Sequence, residues 1–216
     1  MSSSILIAID GAKGAEHIAA WLPVLVSAQF SRASLFHAVP EDSPDISKDL
    51  DALRPLLDKL AVALSAHGVE TDVAFKRGDV VKWLNALAEL RHSDLIVATV
   101  GSSAQLPDYL ERLCLESPVP VLVLPAAEPS SQAGLDARPV LLLGSEESKI
   151  MSAASDVVHA PLVPVKLVAG ADLPDASVLV MGPAPAGSGL ADLLGGASCP
   201  VLLFSSRSIG APLGAS

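Results

Sequence analysis

The chain has 216 residues, half of them hydrophobic, and its 24 acidic and 14 basic side chains give a formal net charge of −10. This negative surplus would repel a phosphate backbone, and an aromatic content of 3% leaves few side chains for base stacking, so we expect no direct nucleic-acid binding. No apolar run approaches the roughly 20 residues that a bilayer-spanning helix needs, so we expect no membrane association either.

The amino terminus and the two cysteines suggest the compartment. MSSSILIAID has neither a basic segment nor a small-residue cleavage site, so it does not look like a secretion signal. Cys114 and Cys199 are therefore expected to be reduced core thiols rather than a disulfide. We predict a cytoplasmic protein.

The first 125 residues alternate between apolar strands and amphipathic helices. Strands are predicted at 5–9 (ILIAI), 33–39 (ASLFHAV), 69–75 (VETDVAF), 94–100 (DLIVATV) and 119–124 (VPVLVL). Residues 69–75 alternate apolar and polar residues, which places that strand near a sheet edge. Helices are predicted at 14–29, from the PEDSPDIS loop to about His67, after the N-cap candidate Asp79, and around 107–116. Pro23 and Pro55 should kink or interrupt the first two helices. This order predicts a parallel sheet with helices on both faces.

After a linker at 126–137, the pattern repeats in shortened form. RPVLLLGSEES resembles SSILIAIDGAK, and both halves end with a proline inside an apolar strand. We predict a tandem duplication with units at 1–125 and 138–206, a tail at 207–216, and a second copy that has lost at least one helix–strand unit.

Features of the first unit resemble the universal stress protein family over essentially its whole length. They are Ile9-Asp10-Gly11 after the first strand, His37 at the end of the second, the Gly78-Asp79 turn, DLIVATVG and the closing PVPVLVLP. The second unit resembles a degenerate copy. The fold class implied is α/β, with two tandem universal-stress-protein-like (adenine nucleotide alpha hydrolase-like) units, the second shortened.

In ATP-binding members of that family, a Gly-x2-Gly-x9-Gly-Ser/Thr loop after the fourth strand cradles the phosphates, and an Asp ending the first strand lies near the adenosine. Glycine is needed because the backbone must approach the anion closely. In the first unit Asp10 matches the Asp, and Gly101, followed by Ser102 and Ser103, matches the first glycine. Ala104 replaces the second glycine, the loop is about seven residues short, and Pro107-Asp108 replace the final pair.

The second unit keeps a different part of the motif. Gly182 matches the first glycine and Gly187-Ser188 match the final pair, but Gly144 replaces the Asp. Neither unit keeps the whole set, so we expect a vestigial nucleotide site and no bound cofactor.

Other chemistry-bearing residues have simpler interpretations. Asp10 could contact a ligand or form the turn before Gly11, and the sequence favours neither. His37 is expected to be a hydrogen-bonded, buried imidazole. The five histidines show no metal-ligand spacing, so we expect no metal. No nucleophile and base are placed for catalysis.

Three functions follow from these observations. The first is a non-enzymatic regulatory module of the stress response that acts through an unidentified protein partner. The alternative is an ATP- or AMP-binding stress sensor, and an enzyme of the wider fold group is the third.

Strands 119–124 and 200–204 should pair antiparallel and join the units as an intrachain pseudo-dimer, leaving the chain monomeric or dimeric through another face.

Overall fold

A nine-stranded sheet forms the centre of the computed structural model. The structure describes residues 3–27, 30–41, 46–100, 108–127, 129, 140–143, 150, 162–164, 178–182, 190, 194, 197 and 199–210. None of the helices within these ranges is both long and apolar enough to cross a membrane.

The described residues of the first half form five strands and four helices in strict alternation. They are β1 Ser4–Ala8, α1 Gly11–Ser27, β2 Arg32–Val39, α2 Ile46–Ala66, β3 Glu70–Arg77, α3 Val80–Leu90, β4 Leu95–Thr99, α4 Asp108–Glu116 and β5 Val121–Leu124. Four further strands follow, and a turn of 3₁₀-helix at Ser208–Gly210 comes after the last of them. These strands are β6 Val140–Leu143, β7 Leu162–Pro164, β8 Val178–Met181 and β9 Val201–Leu203.

The strand order is β3-β2-β1-β4-β5-β9-β8-β6-β7. Neighbouring strands are parallel except at the centre, where β5 and β9 run antiparallel with Leu122 opposite Leu202. The prediction that the closing strands of the two halves pair antiparallel is therefore confirmed. Pro120 and Pro200 immediately precede β5 and β9, as expected for residues that cannot donate to the ladder.

The strands after residue 138 follow the same neighbour order as those before it. The order β7-β6-β8-β9 corresponds to β2-β1-β4-β5, with no counterpart of β3 among the described residues. The duplication and its unit boundaries remain a prediction. The three-residue strand β7 was not foreseen, because its short Leu-Val-Pro core carries no periodicity.

Two apolar layers hold the helices against the sheet. Residues of α1 and α2, including Trp21 and Leu57, pack on one face. Residues of α3 and α4, including Leu84 and Leu113, pack on the other. This is the two-faced arrangement that the alternating pattern predicted.

The expected interruption at Pro23 and Pro55 does not occur, since α1 and α2 each run through their proline, and a kink at either residue stays a prediction. Both prolines are exposed, while the residues beside Pro23, Leu22 and Val24, are buried. An internal proline costs a helix about 3 kcal/mol. The apolar residues on either side of each proline are buried against the sheet, and this burial offsets the cost.

Candidate functional site

A cavity lies where the first strands of the sheet end. Parallel strands direct their carboxyl ends to the same edge, the edge at which open α/β sheets bind ligands. The cavity has a volume of about 300 Å³, near the lower limit for small-molecule sites. It is lined by Ala8, Ile9, Asp10, Phe36, Ala38, Pro40, Gly78, Val80 and Tyr109.

The floor of the cavity is held by hydrogen bonds between the ends of β1 and β2. The Ile9 amide donates to the Phe36 carbonyl at 2.8 Å. Nδ1 of His37 lies 2.8 Å from the Ile9 carbonyl oxygen. A carbonyl only accepts, so Nδ1 carries the proton and donates it. The predicted role of His37 as a hydrogen-bonded imidazole is confirmed, although the side chain is half-buried rather than buried.

Asp10 is the only charged side chain among the described residues of this lining. It is exposed and stands just before α1, whose first residue, Gly11, has a φ of +66°, a left-handed conformation that glycine adopts without strain. Gly11 therefore permits the sharp turn that leaves Asp10 at the cavity. Both interpretations of Asp10 fit this position, since it borders a cavity and stands at a turn.

The wall opposite β1 is formed by the turn into α3. Gly78 has a φ of +109°, and Asp79 caps α3 by accepting from the amides of Val81 at 2.9 Å and Lys82 at 3.1 Å. The predicted N-cap is therefore confirmed. Arg112 of α4 donates to the other carboxylate oxygen of Asp79 at 3.1 Å. This ion pair ties α4 to the cavity wall.

Tyr109, in the first turn of α4, closes the cavity from the α3 side of the sheet. Its pKa is raised, mainly because the half-buried phenol is desolvated and also because the negative charge of Asp10 is nearby. The phenol therefore stays protonated and offers a neutral donor next to a carboxylate. Asp10 and Tyr109 are the polar side chains in the lining, and no lysine, arginine or histidine joins them among the described residues.

Five other candidate site residues from the sequence cannot be compared with the cavity. Gly101, Ser102, Ser103, Gly187 and Ser188 lie outside the described residues.

Gly182, directly after β8, is buried and does not line the cavity. A Cβ added at this glycine would overlap Cδ1 of Ile150. Glycine thus has a packing role at position 182.

Sequence reasoning did not identify Tyr109, Pro40 or Val80 as cavity residues. Tyr109 is the chain's only tyrosine and stands at the start of an amphipathic helix, which is a weak signal. The described part of the chain contains no cluster of three or more His, Cys, Asp or Glu side chains that could hold a metal ion.

Comparison with known proteins shows the fold. No protein-family model matches the sequence, and no curated protein matches it significantly. A universal stress protein from Archaeoglobus fulgidus DSM 4304 superposes with a TM-score of 0.68 and 14% identity, over 96% of this chain and 97% of that one.

Two proteins from Pseudomonas aeruginosa show the same similarity. A putative universal stress protein from strain UCBPP-PA14 has a TM-score of 0.61 and 18% identity, over 96% of this chain and 95% of that one. A functionally unknown protein from strain PAO1 also has a TM-score of 0.61, with 17% identity, over 96% of this chain and 94% of that one. Over nearly its whole length, this chain has the fold of the universal stress proteins.

Proposed function

We propose that this chain is a non-enzymatic regulatory protein of the universal stress type, acting in the stress response with a degenerate nucleotide site. The observation that carries the proposal is the composition of the cavity at the end of β1. Among the described residues, its lining is apolar except for Asp10 and Tyr109. A site of this composition selects a small, largely neutral group over a polyphosphate.

Electrostatics oppose a phosphate in this cavity. Asp10 would repel it, and the described lining supplies no cation to compensate. The Gly-Ser/Thr pair that would donate to phosphate oxygens is replaced in the sequence by Pro107 and Asp108. Each hydrogen bond to a charged group is worth about 1.5–3 kcal/mol. Losing two or three would weaken ATP binding by roughly 10² to 10⁶.

The same lining supports a non-enzymatic role. Hydrolysis needs an activated nucleophile or a base positioned for a water molecule, together with donors for the developing charge. Asp10 is the one candidate base of the described lining, and Tyr109 is the one side-chain donor. One carboxylate and one neutral donor are fewer groups than the cations and donors that phosphoryl transfer normally uses, and this favours a non-enzymatic role.

A second candidate, an ATP- or AMP-binding sensor, is favoured by the position of the cavity. It lies beside Asp10 at the carboxyl end of β1, the edge where open α/β sheets bind nucleotides. In this case Asp10 would accept hydrogen bonds from the hydroxyl groups of a ribose.

Calorimetric titration with ATP and Mg²⁺ separates the candidates. The matched variants are Asp10→Asn and Asp51→Asn; Asp51 is an exposed residue of α2. We expect no saturation of the wild-type protein below about millimolar ATP. A low-micromolar dissociation constant that Asp10→Asn weakens and Asp51→Asn leaves unchanged would establish the sensor instead. Conversion of ATP to ADP or AMP would establish an enzyme.

A further inference from the structure

The cavity at the end of β1 combines an apolar floor with a single charged side chain among its described residues. Ala8, Ile9 and Phe36, which line the floor, are buried. Asp10 is exposed and Tyr109 is half-buried, so the polar side chains of the described lining are in contact with water. A matching ligand therefore has an apolar body that covers the floor and one polar group that stays near the solvent.

The charges around the cavity decide the sign of that polar group. Within the described lining the only charge is that of Asp10. In the sequence, residues 41–45 (EDSPD) follow the lining residue Pro40, and residues 101–108 (GSSAQLPD) precede Tyr109. These two segments contain four carboxylates and no cation. A positive group is therefore attracted to this edge of the sheet, and a negative group is repelled.

The neighbouring cations do not reverse this preference. Arg112 forms ion pairs with Asp79 at 3.1 Å and Glu116 at 3.7 Å. Arg77 donates to the Glu41 carbonyl at 2.9 Å. Two lysines in the first turns of α1 and α3 are exposed: Lys13 and Lys82. None of these four side chains belongs to the described lining, so a ligand in the cavity is closer to the carboxylate of Asp10.

The start of α3 does not offer the cavity a site for an anion. Val80 lines the cavity, and the amides of the next two residues, which would otherwise bind an anion, already donate to Asp79. Asp79 also offsets the positive end of the helix dipole. Asp10 stands directly before α1, in the same place relative to its helix. Both helix starts therefore carry the chain's own carboxylate instead of leaving that position to a ligand.

We propose that this cavity binds a small organic ammonium ion, with the apolar body on the floor and the ammonium group paired with Asp10. An ammonium group only donates hydrogen bonds and a carboxylate only accepts them, so the two are complementary. Tyr109 adds an aromatic ring, a group that attracts organic cations. The inference rests on the proposed function, because a cavity that held a nucleotide would not be open to this ligand.

The cavity volume sets the size of the ligand. A cavity of about 150 Å³ lined by aliphatic and aromatic side chains takes up benzene. With about 300 Å³, this cavity has room for an aromatic ring and a short alkyl chain. Three probes share such a body and differ in charge at neutral pH. Phenethylamine is positive, phenethyl alcohol is neutral, and hydrocinnamate is negative.

Titration of the ¹⁵N-labelled protein, followed by NMR, measures the affinity for each probe and locates the site. We expect the amide signals of Ala38, Gly78 and Val80 to shift, because these residues line the cavity. Phenethylamine should bind about three- to fivefold more tightly than phenethyl alcohol, since the exposed Asp10 carboxylate forms an ion pair that water screens. Hydrocinnamate should bind more weakly than the alcohol.

Asp10→Asn tests the partner of the ammonium group. This change should remove the preference for phenethylamine and leave the affinity for phenethyl alcohol unchanged. Asp51→Asn, which removes the same charge from an exposed position of α2, should keep the preference. Circular dichroism confirms that each variant is folded. If Asp10→Asn does not fold, the order of the three affinities in the wild-type protein decides.

Three results would overturn the proposal. The first is equal binding of the three probes, or no binding of any of them, and without ATP binding it contradicts this inference alone. The second is a preference for phenethylamine that Asp10→Asn keeps, since the charge would then be recognised elsewhere. The third is micromolar binding of ATP that displaces phenethylamine, and this result would overturn the proposed function as well.

Discussion

The hydroxyl of Ser205 donates to the backbone carbonyl of Ser117 at 2.5 Å, across 88 residues of sequence. Both residues are buried, and the same hydroxyl oxygen accepts from the amides of Arg207 at 3.1 Å and Ser208 at 3.0 Å. One side chain therefore joins the segment after β9 to the end of α4. Beside it, Arg207 donates to the Glu116 carbonyl at 3.0 Å.

Ser205→Ala should lower the free energy of unfolding by about 1–3 kcal/mol, because it leaves a buried carbonyl and two amides without their partner. Urea denaturation monitored by circular dichroism measures the loss. Ser206→Ala, a change at an exposed neighbour, should have almost no effect. Equal stability of the two variants would show that this hydroxyl does not join the halves.

Asp79→Ala should cost about 1 kcal/mol of stability, since it removes the N-cap of α3 together with the partner of Arg112. Asp79→Asn keeps an acceptor for the cap and loses the ion pair, so its cost should be smaller. Asp58→Ala, an exposed change inside α2, is the control. Equal losses for the alanine and asparagine variants would contradict the capping role.

The cap also predicts a pH dependence. The pKa of Asp79 lies below its usual value of 3.8, chiefly because the Lys82 amide donates to the carboxylate, with Arg112 adding to the effect. A carboxyl group whose pKa is lower in the folded state stabilises the protein at pH values above its unfolded-state pKa. This stability is lost as the pH falls through its folded-state pKa. The stability difference between wild type and Asp79→Asn should therefore shrink below about pH 4. A stability difference that stays constant down to pH 2 would contradict the lowered pKa of Asp79.

Gly182→Ala should destabilise the protein by about 1 kcal/mol, the low end for overpacking, because the new methyl group would overlap Cδ1 of buried Ile150, a side-chain end that has to shift. Ile150→Val removes that carbon atom. The double variant should therefore recover part of the loss, which a double-mutant cycle in urea measures as a coupling energy. Strict additivity of the two changes would show that the methyl group does not meet Ile150.

Cys114 should resist thiol reagents in the native protein. Burial raises the pKa of its thiol to about 12, so almost no reactive thiolate exists at pH 8. Labelling with iodoacetamide, located by mass spectrometry, should become fast only in denaturant. Rapid native labelling at Cys114 would show that α4 opens readily.

Local patterns were sufficient to predict most of the framework. Apolar runs and helical periodicity predicted the order of the strands and helices in the first half, and Asp79 was recognisable as a cap because capping depends on the next three residues. The alternation in residues 69–75 also identified an edge strand. These features depend on neighbours in sequence, which is why one sequence is enough to find them.

The cavity was decided by tertiary structure. Its residues come from the ends of β1 and β2, from the start of α3 with the turn before it, and from α4. Only the connections between the strands bring Pro40, Val80 and Tyr109 to Asp10. The packing role of Gly182 likewise depends on a distant side chain, Ile150.

The helices that continue through Pro23 and Pro55 also depend on tertiary contacts that the sequence does not reveal. A proline's local cost can be read from the sequence, but the burial that offsets it appears only after the helix has packed on the sheet. The sequence by itself thus determined the elements of the first half and their order, because those depend on short-range chemistry. The tertiary structure determined which side chains meet, because that depends on contacts between residues far apart in the chain.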